Sequence, residues 1–333
     1  MLLPFTKMHG CGNDYIFIDC YKTRVLNPEK LAAVLSDRHR GVGGDGIVLM
    51  LPPGASIFSD AGRGAIPSQG ADAGANAANQ TCAETGVNVN QTCADAGMRI
   101  FNADGSEAGM CGNAIRCVAK YLYEKGAVPK RRMSIETRGG VRELFLFTAD
   151  GDAPGAGFVR SVKVNMGPAE FTPEKVPVAL PGPGVISRPV VIGGNPYKIT
   201  CVSMGNPHAV VFTDDVDAVR LGEVGPLFER AGIFPDRVNA EFVEVSGAGS
   251  GACQPGKANR LKIRVWERGS GETMACGTGA SASVAAAVAN GVCGPGEDIT
   301  VSLPGGELII NYTDSAIYMT GDCVTVFEGI VEV

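Results

Sequence analysis

Two cysteines in matching surroundings carry the chemistry this sequence could perform. Met98-Arg99-Ile100-Phe101 runs through a polar turn to Cys111-Gly112-Asn113, and Ile263-Arg264-Val265-Trp266 runs through another to Cys276-Gly277-Thr278. With the cysteines aligned, Arg99 falls on Arg264, Glu107 on Glu272 and Gly126 on Gly291. Each Cys-Gly pair opens a helix of small and apolar residues. Converging backbone N–H groups and the helix dipole stabilise a thiolate there, which lowers a cysteine pKa from its usual value of about 8.5. Such an N-terminus also binds carboxylate, and glycine after the cysteine lets a ligand approach closely. Two of them facing one another would grip one α-carboxylate and aim a sulfur at each face of the adjacent carbon. That geometry suits removal of a proton from one face and its return on the other, with one cysteine as thiolate and the other as thiol. No pyridoxal-type cofactor is needed, and no dedicated site for one is evident.

The elements that must position these cysteines also come in pairs. Gly12-Asn13 precedes the buried-strand pattern Tyr15–Ile18, and Gly205-Asn206-Pro207-His208 precedes Ala209–Thr213. The helix after Cys111 closes near Gly126 and the Ala-rich helix after Cys276 closes at Gly291. Hairpins around Gly139-Gly140 and Gly305-Gly306 follow them. Asn27-Pro28 starts a further helix, with Asn as N-cap and Pro at its first position. Residues 38–46 are glycine-rich but lead into a strand and lack the Lys-Ser/Thr of a phosphate loop. The pattern predicts an α/β (α+β) chain of two pseudo-symmetric domains. Residues 1–155 form the first, completed by the C-terminal strand 323–333; residues 156–322 form the second, with 150–157 as linker.

Residues 52–97 break the pattern. They are rich in Gly, Ala, Ser and Asn, and they carry a tandem repeat around Cys82 and Cys93. Such a segment buries too little apolar surface to offset its ordering entropy, so it reads as a surface insertion. Low-complexity expansion explains its two cysteines better than metal binding or pairing does.

Composition excludes several classes. The 333 residues are 45% hydrophobic and 19% charged, with a net charge of −6. That charge gives no basis for nucleic-acid or anionic-membrane binding. No apolar run is long enough to span a bilayer, and the N-terminus lacks the pattern of a signal peptide, which predicts a cytoplasmic protein. Eleven cysteines, an odd number without a C-x-x-C, then read as reduced thiols, and the three scattered histidines suggest no metal site. Cys11, Cys20, Cys117, Cys201, Cys253, Cys293 and Cys323 lack the duplicated context and read as packing or loop residues.

Five motifs together resemble the diaminopimelate epimerase family. They are Met8-His9-Gly10-Cys11-Gly12-Asn13-Asp14, Phe101–Glu107 with Met110–Arg116, Gly205–His208, Arg237-Val238-Asn239-Ala240, and Trp266–Gly269 with Glu272–Gly279. The resemblance implies cofactor-independent interconversion of LL- and meso-2,6-diaminoheptanedioate, on the way to lysine and peptidoglycan. It implies two similar domains, each a mostly antiparallel sheet wrapped around a central helix, and a homodimer. It makes Cys111 and Cys276 the base/acid pair, with the N–H groups of Gly112, Asn113, Gly277 and Thr278 on the reacting carboxylate. Asn13, Asn102, Asn206, Asn239, Glu267 and Arg268 hold the ammonium groups and the distal carboxylate, and His208 and Glu267 tune the thiols. Arg268 suits bidentate carboxylate binding, and amides suit a substrate that presents both charge types. Gly46 stands where many relatives carry Gln, which puts that substrate contact in question. The rival readings are a proline or hydroxyproline racemase of the same fold, whose substrate has no distal charged head for Arg268, and a thiol redox sensor pairing Cys111 with Cys276.

Overall fold

A computed structural model describes residues 2–55, 94–149, 157–246 and 258–333. The chain opens with β1 (Leu2–Gly10) and β2 (Asn13–Asp19), an antiparallel hairpin turning through Cys11 and Gly12, both at positive φ. Helix α1 (Pro28–Leu35) follows, with Pro28 at its start; the Asn27 side chain makes no capping bond. β3 (Gly46–Leu51) lies parallel to β2, and β4 (Ala96–Asn102) antiparallel to β3. The short β5 (Glu107–Ala108) turns back along β4 and delivers the chain to α2 (Gly112–Glu124). β6 (Arg132–Thr137) pairs parallel to β4, β7 (Gly140–Ala149) antiparallel to β6, and β8 (Phe158–Gly167) antiparallel to β7.

The same order of pairings then recurs. β9 (Arg188–Ile192), β10 (Asn195–Ser203) and β11 (Pro207–Thr213) are antiparallel neighbours. After α3 (Leu221–Glu229), β12 (Asn239–Ser246) lies parallel to β11, and β13 (Arg260–Glu267) antiparallel to β12. β14 (Gly271–Glu272) leads to α4 (Gly277–Ala289). β15 (Asp298–Leu303) pairs parallel to β13, followed by antiparallel β16 (Gly306–Tyr312) and β17 (Ile317–Asp322). β17 then pairs antiparallel with β8, its own counterpart. The final strand β18 (Val324–Glu332) returns to run antiparallel to β1, in the place β9 takes beside β10.

Two boundaries move from where composition put them. Residues 150–157, read as a linker, join β7 to its antiparallel neighbour β8, so the first run of strands extends to Gly167 rather than ending at 155. The insertion is shorter than 52–97, because Ala96 and Gly97 already belong to β4, opposite Ile135 and Glu136 of β6. Cys82 and Cys93, with their repeat, lie outside the described residues.

Each run of strands wraps a central helix. Ala114, Ile115, Val118, Ala119 and Leu122 of α2 and Ala280, Ala282 and Val284–Ala287 of α4 are fully buried or nearly so, in one continuous core. An alanine-rich α4 lets sheet approach from every side, since small side chains shorten the distance to each neighbour. Both helices end as the glycines predict, with Gly126 and Gly291 at φ near +70°. The aligned Arg–Glu pairs are duplicated as well: Arg99 Nε meets Glu107 at 2.7 Å and Arg264 Nε meets Glu272 at 2.8 Å. Each pins the turn that carries its cysteine to the preceding strand. Among the described residues, no helix is long and apolar enough to cross a membrane.

Candidate active site

Cys111 and Cys276 occupy the N-cap positions of α2 and α4, both with extended backbone. The two helices meet end to end. A Cβ built on Gly277 would stand 3.7 Å from Gly112 Cα, and both glycines press on Met319 of β17. A Cβ on Gly112 would lie 2.6 Å from Met319 Cε, so a larger residue here would require the Met319 side chain to move. Asn113 crosses the junction: its amide donates to Asn13 Oδ1 at 3.2 Å and to the Ala275 carbonyl at 3.3 Å. The duplicated stretches therefore converge on one centre.

Each sulfur has its own surroundings. Cys111 Sγ donates to Asn13 Oδ1 at 3.4 Å, and its neighbours are the N–H groups of Asn113 and Ala114 and the Tyr15 hydroxyl. Asn13 is itself aimed by Asp45, which accepts from its Nδ2 at 2.7 Å. Asp45 and Asp14 are held in turn by Arg38. Cys276 Sγ accepts from the Gly279 N–H at 3.3 Å and lies 3.4 Å from Thr278 Oγ1. Its carboxylate neighbours are Glu267, which the thiol hydrogen-bonds, and Glu241. Glu267 also accepts from Thr273 at 2.5 Å. His208, fully buried, meets Glu241 through Nδ1 at 2.7 Å and Asn206 Oδ1 through Nε2 at 3.0 Å, and the Asn206 amide reaches on to Thr278.

Desolvation overrides the helix termini. The expectation of lowered thiol pKa values does not hold here: burial pushes Cys111 up, against the N–H groups and Tyr15 that favour its thiolate. Cys276 is pushed well above the ordinary range, by burial first and then by Glu267 and Glu241. Burial also raises the Glu267 carboxyl, against its bonds from Thr273 and Cys276.

Not every expected residue lies at this centre. Cys111, Cys276, Asn13, Asn113, Asn206, Glu267, Thr278, Gly112 and Gly277 are tied to it by the contacts above, with His208 behind it. Asn239 is buried one layer away, where its amide donates to the Pro207 carbonyl and its oxygen accepts from the Arg268 N–H. The Arg268 guanidinium is exposed and donates to the Asp236 carbonyl. The Asn102 side chain folds onto Ser106 within its own turn. Gly46 is obligatory: a Cβ there would lie 2.1 Å from the Phe101 carbonyl oxygen, so a glutamine could not occupy this backbone. Tyr15, Asp45, Glu241 and Arg116 were not singled out by motif. Laying one half on the other would have marked Tyr15, which matches His208.

A duplicated α/β fold with a cysteine at the start of each central helix defines the class of protein. The chain superposes on a hydroxyproline epimerase from Agrobacterium vitis with a TM-score of 0.60 at 16% identity, covering 99% of this chain and 91% of that one. A Bacillus anthracis PhzF-family phenazine biosynthesis protein gives 0.60 at 13% identity, with full coverage of both. At such identities the likeness is one of fold. Sequence narrows it: the diaminopimelate epimerase family model matches residues 72–172 and 200–326. Relatives named diaminopimelate epimerase are 43% identical in Acetivibrio thermocellus and 44% in Pelotomaculum thermopropionicum, over 99% and 98% of both chains respectively. The chain belongs to the diaminopimelate epimerase family.

Proposed function

We propose that this protein interconverts LL- and meso-2,6-diaminoheptanedioate by proton transfer between Cys111 and Cys276, without a cofactor, in the synthesis of lysine and peptidoglycan precursors. The observation that carries the reading is the end-to-end meeting of two cysteine-capped helices. A carboxylate lodged between the helix ends takes N–H groups from Gly112, Asn113, Gly277 and Thr278, and its charge opposes both dipoles favourably. The α-carbon then lies between the sulfurs. One thiolate removes the α-proton while the opposite thiol supplies a proton to the other face, and the two cysteines exchange protonation states. Asn13, Asn206 and Glu267 face the reacting end. Asn102 and Arg268 lie farther out, where the second ammonium and the distal carboxylate of a long diacid would reach, and the buried Asn239 holds the Arg268 backbone N–H.

The test is incubation of reduced protein with LL-diaminopimelate in heavy water, with no added cofactor. The expected result is meso product carrying deuterium at one α-carbon. Exchange of proline without reaction of diaminopimelate would transfer the reading to the proline-type racemases. Absence of both activities, with a reversible Cys111–Cys276 disulfide, would make the protein a redox sensor.

The reading extends to a cytoplasmic homodimer. β18 hydrogen-bonds β1 along one edge, and its other edge has no strand partner among the described residues. Val324, Val326, Phe327 and Ile330 of this strand are exposed. An open edge carrying apolar side chains suits isologous pairing with a second copy. Ile330→Lys is expected to shift the protein from dimer to monomer in sedimentation velocity at micromolar concentration. A wild-type monomer under the same conditions would refute the pairing.

A further inference from the structure

The duplication leaves one place where a residue faces its own counterpart. The turn between β6 and β7 pairs Thr137 with Gly140, and the turn between β15 and β16 pairs Leu303 with Gly306. Matching the two turns sets Leu144 on Ile310. Leu144 opposes Val164 of β8 and Ile310 opposes Met319 of β17, so Val164 and Met319 are equivalent positions. β8 and β17 in turn pair with each other, with Met319 against Val164. The axis relating the two halves therefore passes between these two side chains. Directly opposed residues point to the same face, with Cβ atoms about 5 Å apart, and both are fully buried. Two long side chains there would compete for one space; the chain supplies one long and one short.

Met319 reaches the ends of both central helices. A Cβ on Gly112 would lie 2.6 Å from its Cε, and a Cβ on Gly277 would lie 2.9 Å from its Sδ. The thioether thus fills the space beside both glycines at once. Arg116 Nη1 donates to the Met319 sulfur at 3.8 Å, which holds the thioether from the α2 side. Gly112 and Gly277 are the first helical residues, each directly after the cysteine that caps its helix. A shift of either helix end therefore carries the sulfur with it.

Resting on the two-cysteine reading above, we propose that Met319 is a positioning residue that sets the separation of Cys111 and Cys276 across the α-carbon. It acts through the glycines at the two helix ends. Inversion requires both sulfurs within reach of one carbon at the same time, about 3–3.5 Å for each reacting pair. Asn113 ties the two ends together through the Ala275 carbonyl, and Met319 keeps them from closing further. An unbranched thioether suits this place because it conforms to an irregular gap between two backbones.

The separation governs only one of two outcomes. A carboxylate held at one helix end stays aligned with the cysteine of that helix, whatever the other helix does. That thiolate takes the α-proton, the electrons of the C–H bond stay on carbon, and the sulfur becomes a thiol. With the opposite thiol in reach, its proton goes to the far face and the centre inverts. With it out of reach, the new thiol exchanges its proton with solvent and returns a solvent hydrogen to the same face. Loss of the spacer therefore turns inversion into exchange with retention.

The test reads that partition in heavy water, with LL- and with meso-diaminopimelate, early in the reaction. Deuterium is located in recovered substrate and in product by mass spectrometry of the separated isomers. Wild type is expected to place it in product. Met319→Ala is expected to lower inversion roughly 10- to 100-fold, the effect of a misplacement of about 1 Å. For at least one isomer it should also raise the ratio of deuterated recovered substrate to product about tenfold or more. Met319→Leu should hold the wild-type ratio, since volume-conserving swaps are tolerated best. A folded Met319→Ala protein with unchanged inversion, or with inversion lowered and the ratio unmoved, would overturn the proposal, because loss of folded protein lowers both processes alike. Should Met319→Ala not fold, Met319→Val, which repeats the residue at the equivalent position, carries the same expectations. A wild-type protein that forms no deuterated meso product would instead count against the epimerase reading.

Discussion

Cys111→Ala and Cys276→Ala are each expected to lower LL-diaminopimelate turnover on the order of 10³-fold or more, as loss of a general acid or base does. Both proteins should stay folded. Cys276 Sγ receives one long bond from Gly279 N–H, and Cys111 caps α2 without a side-chain bond, so truncation removes little from either helix. Such a capping loss costs about 1 kcal/mol at most here, and thermal melting close to wild type would separate chemistry from folding.

The two variants should differ in what they retain. Epimerisation needs a base on one face and an acid on the other, whereas exchange of an α-proton with solvent needs only one base. Cys276→Ala keeps Cys111, so in heavy water it should exchange the α-hydrogen of one isomer without inverting it. Cys111→Ala should exchange the other isomer, and more slowly, because Cys276 is surrounded by Glu267 and Glu241. Full turnover in either single variant would rule out the two-base mechanism. Exchange of both isomers by one variant would show that the α-carbon does not sit between the sulfurs.

That centre was legible because the duplication is written in residue types that cannot be exchanged for chemical reasons. Cysteine, glycine, and an arginine paired with a glutamate recur at fixed distances, and the pairs Arg99–Glu107 and Arg264–Glu272 then form alike. The helices were legible from their glycine ends. Much of the framing sheet was not. β1 holds Pro4, Lys7 and His9, and β10 begins Asn195-Pro196, so neither alternates cleanly, while β17 alternates over only six residues and ends Gly321-Asp322. All three are strands because of distant partners: β1 lies beside β18, β10 beside β9 and β11, and β17 beside β8. Local pattern does not carry such pairings. Glu241 shows the same limit at the site. In Asn239–Ser246 it reads as the polar position of a half-exposed strand, yet both faces of β12 are covered and its carboxylate is sealed inside. The thiol pKa values failed for a related reason, since a helix terminus is visible in sequence and the depth at which it is buried is not.

Arg116→Met should cost more stability than any other single change at this centre. Arg116 is fully buried, and its guanidinium is shared among three acceptors: the Gly112 carbonyl at 3.0 Å and Asn113 Oδ1 at 2.9 Å in the first turn of its own helix, and the Asp322 carbonyl at 2.9 Å at the end of β17. A methionine fills similar space and donates to none of them. Each buried acceptor left unbonded costs about 1–3 kcal/mol, so the loss should be about 3 kcal/mol or more. For a chain of 333 residues that lowers the melting temperature by roughly 4 °C or more. Activity should fall as well, because Arg116 sets the orientation of Asn113. With Asn113 Oδ1 held by Arg116, its Nδ2 faces Asn13 and Ala275; freed, the amide can turn over and break the bridge between the two helix ends. Arg116→Lys retains the charge but not the fork, so it should fall between wild type and Met in both melting and turnover. A Met variant that melts within about 1 °C of wild type, a small fraction of the expected shift, would mean that these acceptors find other donors and that the helix junction is held by Met319 and its glycines alone.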